Sequence, residues 1–194
     1  MTSTVPTEQD VRSLVTAVVA AVAPETHEAR QAPPRSDQTQ AVPLADVAMG
    51  ADHGGYRLKE RIAADLRKHG FTVHDCGTDS AQSVDYPDFA HTVARLVVQG
   101  GARWGIVVDG AGIGSAIAAN KVPGVRAAPC WDISSARSSR EHNHANVLAL
   151  GAGLIGDFLA LQIVQAWLST PWGGDRHARR VDKITEIERQ YART

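Results

Sequence analysis

Residues 107–121 read V-V-D-G-A-G-I-G-S-A-I-A-A-N-K. A buried strand breaks there into a glycine-rich turn, which opens a helix with the carboxylate of Asp109 at its mouth. Gly110, Gly112 and Gly114 permit positive φ and close backbone approach, so successive N–H groups can converge on an anion at the positive end of the helix. The spacing excludes two familiar phosphate cradles. A G-x-G-x-x-G fingerprint needs its third glycine three residues after the second, whereas these glycines alternate, and no Gly-Lys-Ser/Thr follows. Taken alone, the motif also reads as a tight strand-to-helix turn.

A strand feeding a helix through such a turn belongs in an alternating architecture, and the chain alternates from Ala45 onward. Apolar runs at 47–50, 71–75, 104–108, 125–130 and 147–150 predict five short strands. Helical stretches are predicted over 56–69, 89–99, 113–120, 133–141 and 158–168. Leu58, Ile62 and Leu66 recur every four residues, a core-facing stripe. The pattern predicts an α/β fold, a Rossmann-like three-layer sandwich with a five-stranded parallel sheet and ligands at the carboxyl ends of the strands. Asp52, His53, Asp109 and the segment around Trp131 fall at such ends. The 194 residues, at ~100–200 per domain, accommodate this one domain over 44–194 plus an appendage.

Composition narrows the function classes. A formal net charge of -1 gives no reason to expect a nucleic-acid partner. Cys76 and Cys130 match no metal or disulfide framework and are expected to be ordinary buried thiols. His142 and His144 form an H-x-H, but no third ligand is spaced to complete a metal site, so none is expected.

The N-terminal residues are of a different kind. Thr7 and Asp10 fit a capping box, and Val11, Leu14, Val15, Val18 and Val22 fall on one face of a helix predicted within 1–23. Residues 24–43 carry four prolines among polar residues and read as a flexible linker. Residues 1–10 hold no Lys or Arg, unlike a secretory signal, and the apolar stretch is far short of the ~20 residues of a membrane span. No membrane partner is expected. A short amphipathic helix on a tether resembles the encapsulation peptides that carry cargo into bacterial microcompartments, which makes a shell protein its expected partner; a frayed tail or docking on its own domain are the alternatives. The expected location is the cytoplasm, or a microcompartment within it.

Six ordered motifs carry a wider resemblance. G-A-D-H-G-G-Y-x-L-K spans 50–59, D-Y-P-D 85–88, G-x-G-I-G-x-x-I-A-A-N-K 110–121, G-V-R-A-A 124–128, S-x-x-E-H-N-x-x-N 138–146 and R-H-x-x-R-V 176–181. Together they resemble the ribose-5-phosphate isomerase B / galactose-6-phosphate isomerase family from about Val47 to Ile187. The resemblance implies aldose–ketose isomerisation of a sugar phosphate through a cis-enediol, without a metal or organic cofactor. It also implies a homodimer or dimer of dimers whose active sites are shared between subunits.

Isomerisation needs a base that moves a proton between neighbouring carbons while donors hold the enediolate oxygens. In most of the family the base is a cysteine at the position of Asp109. A carboxylate is ionised at neutral pH from an unperturbed pKa of ~3.9, and partial burial is expected to raise its basicity; a capping or hydrogen-bonding carboxylate is the alternative. The resemblance gives ring opening to His142 and substrate oxygens to Asn143; Asp52, which joins the catalytic set, and His53 are expected to contact substrate hydroxyls or the phosphate, with a turn-stabilising pair as the alternative. Tyr86 and the backbone of Gly110, Ala111, Gly112 and Gly114 are assigned to the substrate. Arg176 and Arg180, four apart on a helix, can clamp one phosphate with planar paired donors.

Three departures stand out. Some members carry glutamate where this chain has Ser115. The position of Ala111 usually holds a hydroxyl, and Gly153 stands where the family commonly places an arginine associated with phosphate. Three function classes remain: a ribose-5-phosphate isomerase, an isomerase of a four- or six-carbon aldose phosphate, and a non-catalytic sugar-phosphate-binding or assembly protein.

Overall fold

The computed structural model describes residues 45–192. The amphipathic helix and Pro-rich linker expected over residues 1–43 lie outside these residues. Five parallel strands, β1 (Ala45–Ala51), β2 (Val73–Asp75), β3 (Ala102–Asp109), β4 (Ala127–Pro129) and β5 (Val147–Gly151), form a sheet in the order β2-β1-β3-β5-β4. Six helices are interleaved or follow: α1 (Tyr56–Lys68), α2 (Tyr86–Val98), α3 (Ile113–Ala119), α4 (Ile133–Glu141), α5 (Asp157–Ser169) and α6 (Asp175–Tyr191).

Strand alternation explains the three layers. Val47 and Met49 of β1, Ile106 and Val108 of β3, and Leu148 and Leu150 of β5 point to one face. There they meet Leu58, Ile62 and Leu66 of α1, Ala136 of α4, and Ile163 and Trp167 of α5. The intervening Ala48, Val107 and Ala149 point to the other face, against Ala90 and Val93 of α2 and Ala116 and Ala119 of α3. Each fully buried aliphatic side chain contributes ~1.5–3 kcal/mol of gross transfer free energy. Apolar residues on both faces of the central strands therefore require helices on both sides.

The elements predicted from Ala45 onward are all present, with shifted ends. α2 starts at Tyr86 instead of 89, because Asp85 is extended at the N-cap and Pro87 suits the first turn. β2 and β4 are three residues each, shorter than their apolar runs. Cys130 is buried as expected, but Cys76 is only half buried. Burial and the neighbouring Asp75 push the Cys76 thiol up to about 11, so it stays protonated at neutral pH. Among the described residues no helix is long and apolar enough to cross a membrane.

The strand order locates the crevice. From β1 the chain crosses to β2 on one side, and from β3 it proceeds toward β5 and β4 on the other, so the topology reverses between the carboxyl ends of β1 and β3. Ligands bind parallel α/β sheets at such a point.

Candidate active site

Asp52 follows β1 at the reversal and Asp109 ends β3 beside it. Asp52 is buried, and its Oδ1 accepts the N–H of Gly55 at 2.8 Å, which fixes the turn leading into α1. His53 is exposed, and its Nδ1 accepts the Val84 N–H at 3.3 Å. An N–H donor requires a lone pair there, so a neutral ring carries its proton on Nε2. This bond ties the β1 turn to the loop that delivers Tyr86. The Tyr86 ring lies directly over Gly114, where an added Cβ would come within 2.6 Å of its Cζ. Gly114 is thus a close-approach position. Gly112 is the positive-φ position, at 77°, and turns the chain into α3.

The N–H cradle foreseen around these glycines exists, and Asp109 itself fills it. Its Oδ1 accepts the N–H groups of Ala111, at 2.8 Å, and Gly112, and its Oδ2 accepts that of Ser115 at 2.8 Å. Only 5% of the residue is exposed. Burial pushes the carboxyl up, but the Ser115 side chain and the N–H groups of Ser115, Gly112 and Ala111 outweigh it and hold the pKa below the ordinary carboxylate value. The expectation that partial burial raises its basicity is therefore overturned: hydrogen bonds to the charged form win over desolvation. Ser115, buried and aimed at Asp109, is a partner that no sequence spacing pointed to.

The loop after β5 seals this turn from the other side. Ala152 N–H donates to Asp109 O at 2.8 Å and Gly153 N–H to Gly110 O at 2.9 Å. A Cβ on Gly153 would stand 2.9 Å from the Gly110 carbonyl oxygen, so here the missing arginine coincides with direct backbone contact. Sequence reasoning also passed over Lys59 as more than a motif letter. Its Nζ is buried and 2.6 Å from each Asp75 carboxylate oxygen, and Asp75 in turn accepts the Gly77 N–H at 2.9 Å. Gly77 O accepts the Ala51 N–H at 2.8 Å, so the pair braces the end of β1 next to Asp52.

The second group of sequence-derived residues lies elsewhere. α4 leaves the carboxyl edge of the sheet at Asp132 and runs nine residues, ~13 Å at 1.5 Å per residue, to deliver His142 at the amino edge. Asn146, four residues on, donates to Arg126 O before β4 and accepts from Gly105 early in β3. His142 Nδ1 is 3.2 Å from Ser138 Oγ, and its ring stacks on His177, centroids 4.5 Å apart. His177 places the first turn of α6, and with it Arg176 and Arg180, at the same edge; Arg176 and Arg180 are both exposed. Asn143 is exposed beside His142. The structure therefore gathers Asp52, His53, Tyr86, Asp109, Gly110, Ala111, Gly112 and Gly114 at the carboxyl edge. It gathers His142, Asn143, Arg176 and Arg180 at the amino edge. The two groups do not meet within one chain.

A family model described as Ribose/Galactose Isomerase matches residues 47–184. Ribose-5-phosphate isomerase B of Escherichia coli is 46% identical over 147 residues, 76% of this chain and 99% of that protein. The corresponding Mycobacterium leprae protein is 43% identical over 147 residues, 75% of this chain and 91% of that protein. Among solved structures, ribose-5-phosphate isomerase B of Clostridium thermocellum superimposes with a TM-score of 0.75 at 54% identity, covering 75% of this chain and 99% of that one. The Mycoplasma genitalium enzyme, solved with ribulose-5-phosphate bound, gives a TM-score of 0.72 at 37% identity, covering 75% and 97%. With most of its described residues matched in sequence and in structure, and nearly the whole of each relative spanned, this chain belongs to the ribose/galactose isomerase family.

Proposed function

We propose that the protein interconverts D-ribose 5-phosphate and D-ribulose 5-phosphate. The observation that carries this reading is the buried Asp109 carboxylate, set among N–H donors at the topological reversal of a member of this family. In the open-chain aldose the base takes the proton from C2, the C2–H electron pair forms the C1=C2 bond, and the aldehyde oxygen becomes the enediolate oxygen. Moving the O2 proton to O1, forming the C2 carbonyl and returning the carbon-bound proton to C1 with the C1=C2 electron pair gives the ketose, so nothing is oxidised overall and no cofactor is consumed. Asp109 is the proposed proton carrier. Held by three N–H groups it is a weak base; a substrate oxyanion that takes over those donors would be stabilised by them and would release the carboxylate's basicity at the same moment.

A complete site needs a second chain. Ile113 and Ile117, one turn apart on α3 beside the glycine turn, are 49% and 57% exposed, and Tyr86 is 40% exposed. A second copy covering this apolar face and bringing its own amino edge would add His142 for ring opening, Asn143 for substrate oxygens, and Arg176 and Arg180 for the phosphate. Asp52 and His53 complete the substrate contacts from the first chain. A homodimer, or a dimer of dimers, follows from this reading. A coupled assay over four-, five- and six-carbon aldose phosphates tests it. The highest kcat/KM is expected with D-ribose 5-phosphate; a better four- or six-carbon substrate would reassign the specificity, and no turnover with any would leave a binding protein.

Arg176→Ala or Arg180→Ala is expected to weaken binding of a phosphorylated substrate or inhibitor by ~1.5–3 kcal/mol, the scale of a hydrogen bond to a charged group. The unphosphorylated sugar should be nearly indifferent. Calorimetry on the paired ligands separates this from a loss of fold, which would weaken both equally.

We infer separately, from sequence alone, that the segment Thr7 to Val22 targets the enzyme to a microcompartment shell. Five aliphatic side chains on one helical face offer ~1.5–3 kcal/mol each of gross burial, most of it cancelled by ordering and association costs. A weak contact strengthened by avidity is the result. Deleting residues 1–43 should leave isomerase activity intact and abolish co-assembly with shell proteins. Entry of the truncated enzyme into shells would remove the targeting role.

A further inference from the structure

Four aromatic rings at the amino edge form two stacked pairs, His142 on His177 and His144 on Trp172, joined by a tilted contact between Trp172 and His177; of the four, the reaction as described uses only His142. The His142 ring lies on that of His177, centroids 4.5 Å apart and planes 14° apart. Trp172, in the segment between α5 and α6, meets His177 and His144. Its indole is tilted 57° to His177 at 6.4 Å and lies flat on His144 at 4.6 Å and 16°. The stack thus joins the end of α4, the segment before α6 and the first turn of α6.

Each end of this stack is anchored differently. His144 has a left-handed backbone, φ 51°; its N–H donates to Arg140 O at 3.2 Å and its carbonyl accepts Arg126 Nε at 2.9 Å. Its ring is therefore presented from a backbone fixed on both sides. His177 sits between the two functional residues. Arg176 Nε lies 3.3 Å from His177 Nε2, and because a guanidinium has only donors, Nε2 is the acceptor and His177 is neutral with its proton on Nδ1. His142 has 43% of its side chain exposed; Ser138 Oγ lies 3.2 Å from its Nδ1 and a Glu141 carboxylate oxygen 3.8 Å from its Nε2. The stacking on His177 bears on the face of that ring, which neither polar contact covers.

We propose that Trp172 is a positioning residue: braced by His144, it holds His177, and through His177 it sets the ring plane of His142 and the direction of the Arg176 guanidinium. The proposal rests on the reading of His142 and Arg176 as substrate-contacting groups. It names a device by which ring opening and phosphate capture, assigned to different side chains, share one mechanical support. An imidazole and a guanidinium with several rotamers each are otherwise free to leave the productive geometry, and misplacement of ~1 Å can cost ~10²-fold in rate.

The experiment compares the full-length protein with Trp172→Leu, Trp172→Phe and His144→Ala, reading kcat, calorimetric binding of inorganic phosphate, the thermal midpoint, and the NMR positions of the imidazole Cε1–H protons. In Trp172→Leu the His177 and His142 resonances should move as the indole ring current and stack are lost, kcat should fall about 10-fold, and phosphate should bind several-fold more weakly, within the ~10²-fold range of misplacement. Trp172→Phe, which keeps a ring, should recover most of both functions. His144→Ala should move them in the same direction by less. A lowered thermal midpoint with unchanged kcat and phosphate affinity would make Trp172 a packing residue and overturn the proposal, as would unshifted histidine resonances. If the wild-type protein turns over no aldose phosphate, the isomerase reading fails, yet the resonances and phosphate affinities still decide the role of Trp172.

Discussion

Asp109→Asn is expected to lower turnover of D-ribose 5-phosphate by at least the ~10²–10⁴-fold typical of general-base loss. The substitution keeps the size of the side chain and removes the charge. It also places an amide where the Ser115 N–H now finds an acceptor, so one buried donor loses its partner or the amide must turn and abandon Ala111 and Gly112. An unsatisfied buried group costs ~1–3 kcal/mol, so the variant should also be less stable in urea, and rates must be referred to folded protein. Near-normal turnover in a folded Asp109→Asn protein would end the assignment of Asp109 as base and leave it as the cap of the glycine turn. Asp109→Cys is the companion: restored turnover would show that the cradle serves a thiolate as readily as a carboxylate.

Two inactive variants should rescue each other. If Asp109 comes from one chain and His142 from the other, a mixed dimer of Asp109→Asn and His142→Ala chains holds one site with both defects and one with neither. Random pairing of equal amounts makes half the dimers mixed, so activity should return to about a quarter of wild type from backgrounds at least ~10²-fold lower. Co-expression with two tags and purification of the mixed species makes the measurement direct. Isolated mixed dimers with no activity would mean that the site is not divided between chains in this way. The physical ground is the antiparallel return of α4, which carries His142 to the opposite edge of the sheet from Asp109.

Much of the architecture was legible in the amino-acid order. Strand-length apolar runs punctuated by glycine, and the four-residue stripe of Leu58, Ile62 and Leu66, require a sheet covered on both faces, because both periodicities record which side of an element is buried. Asp109 was legible as a strand-end carboxylate beside a glycine turn, and the two groups of site residues were legible as motifs. What the carboxylate does in its turn was not. Whether N–H groups point at Asp109 or away from it depends on the 77° φ of Gly112 and on the β5–α5 loop laid against Gly110, contacts between segments some forty residues apart. The same holds for the Ser115 partnership, the Lys59–Asp75 brace and the stack of His142, His177, Trp172 and His144, each joining residues with no spacing in common. The separation of the two site halves likewise belongs to the tertiary structure. Motif order says which residues share a chemistry, but the direction of each crossover helix decides which edge of the sheet receives them, and distance in space, not order in the chain, determines where a substrate can be held.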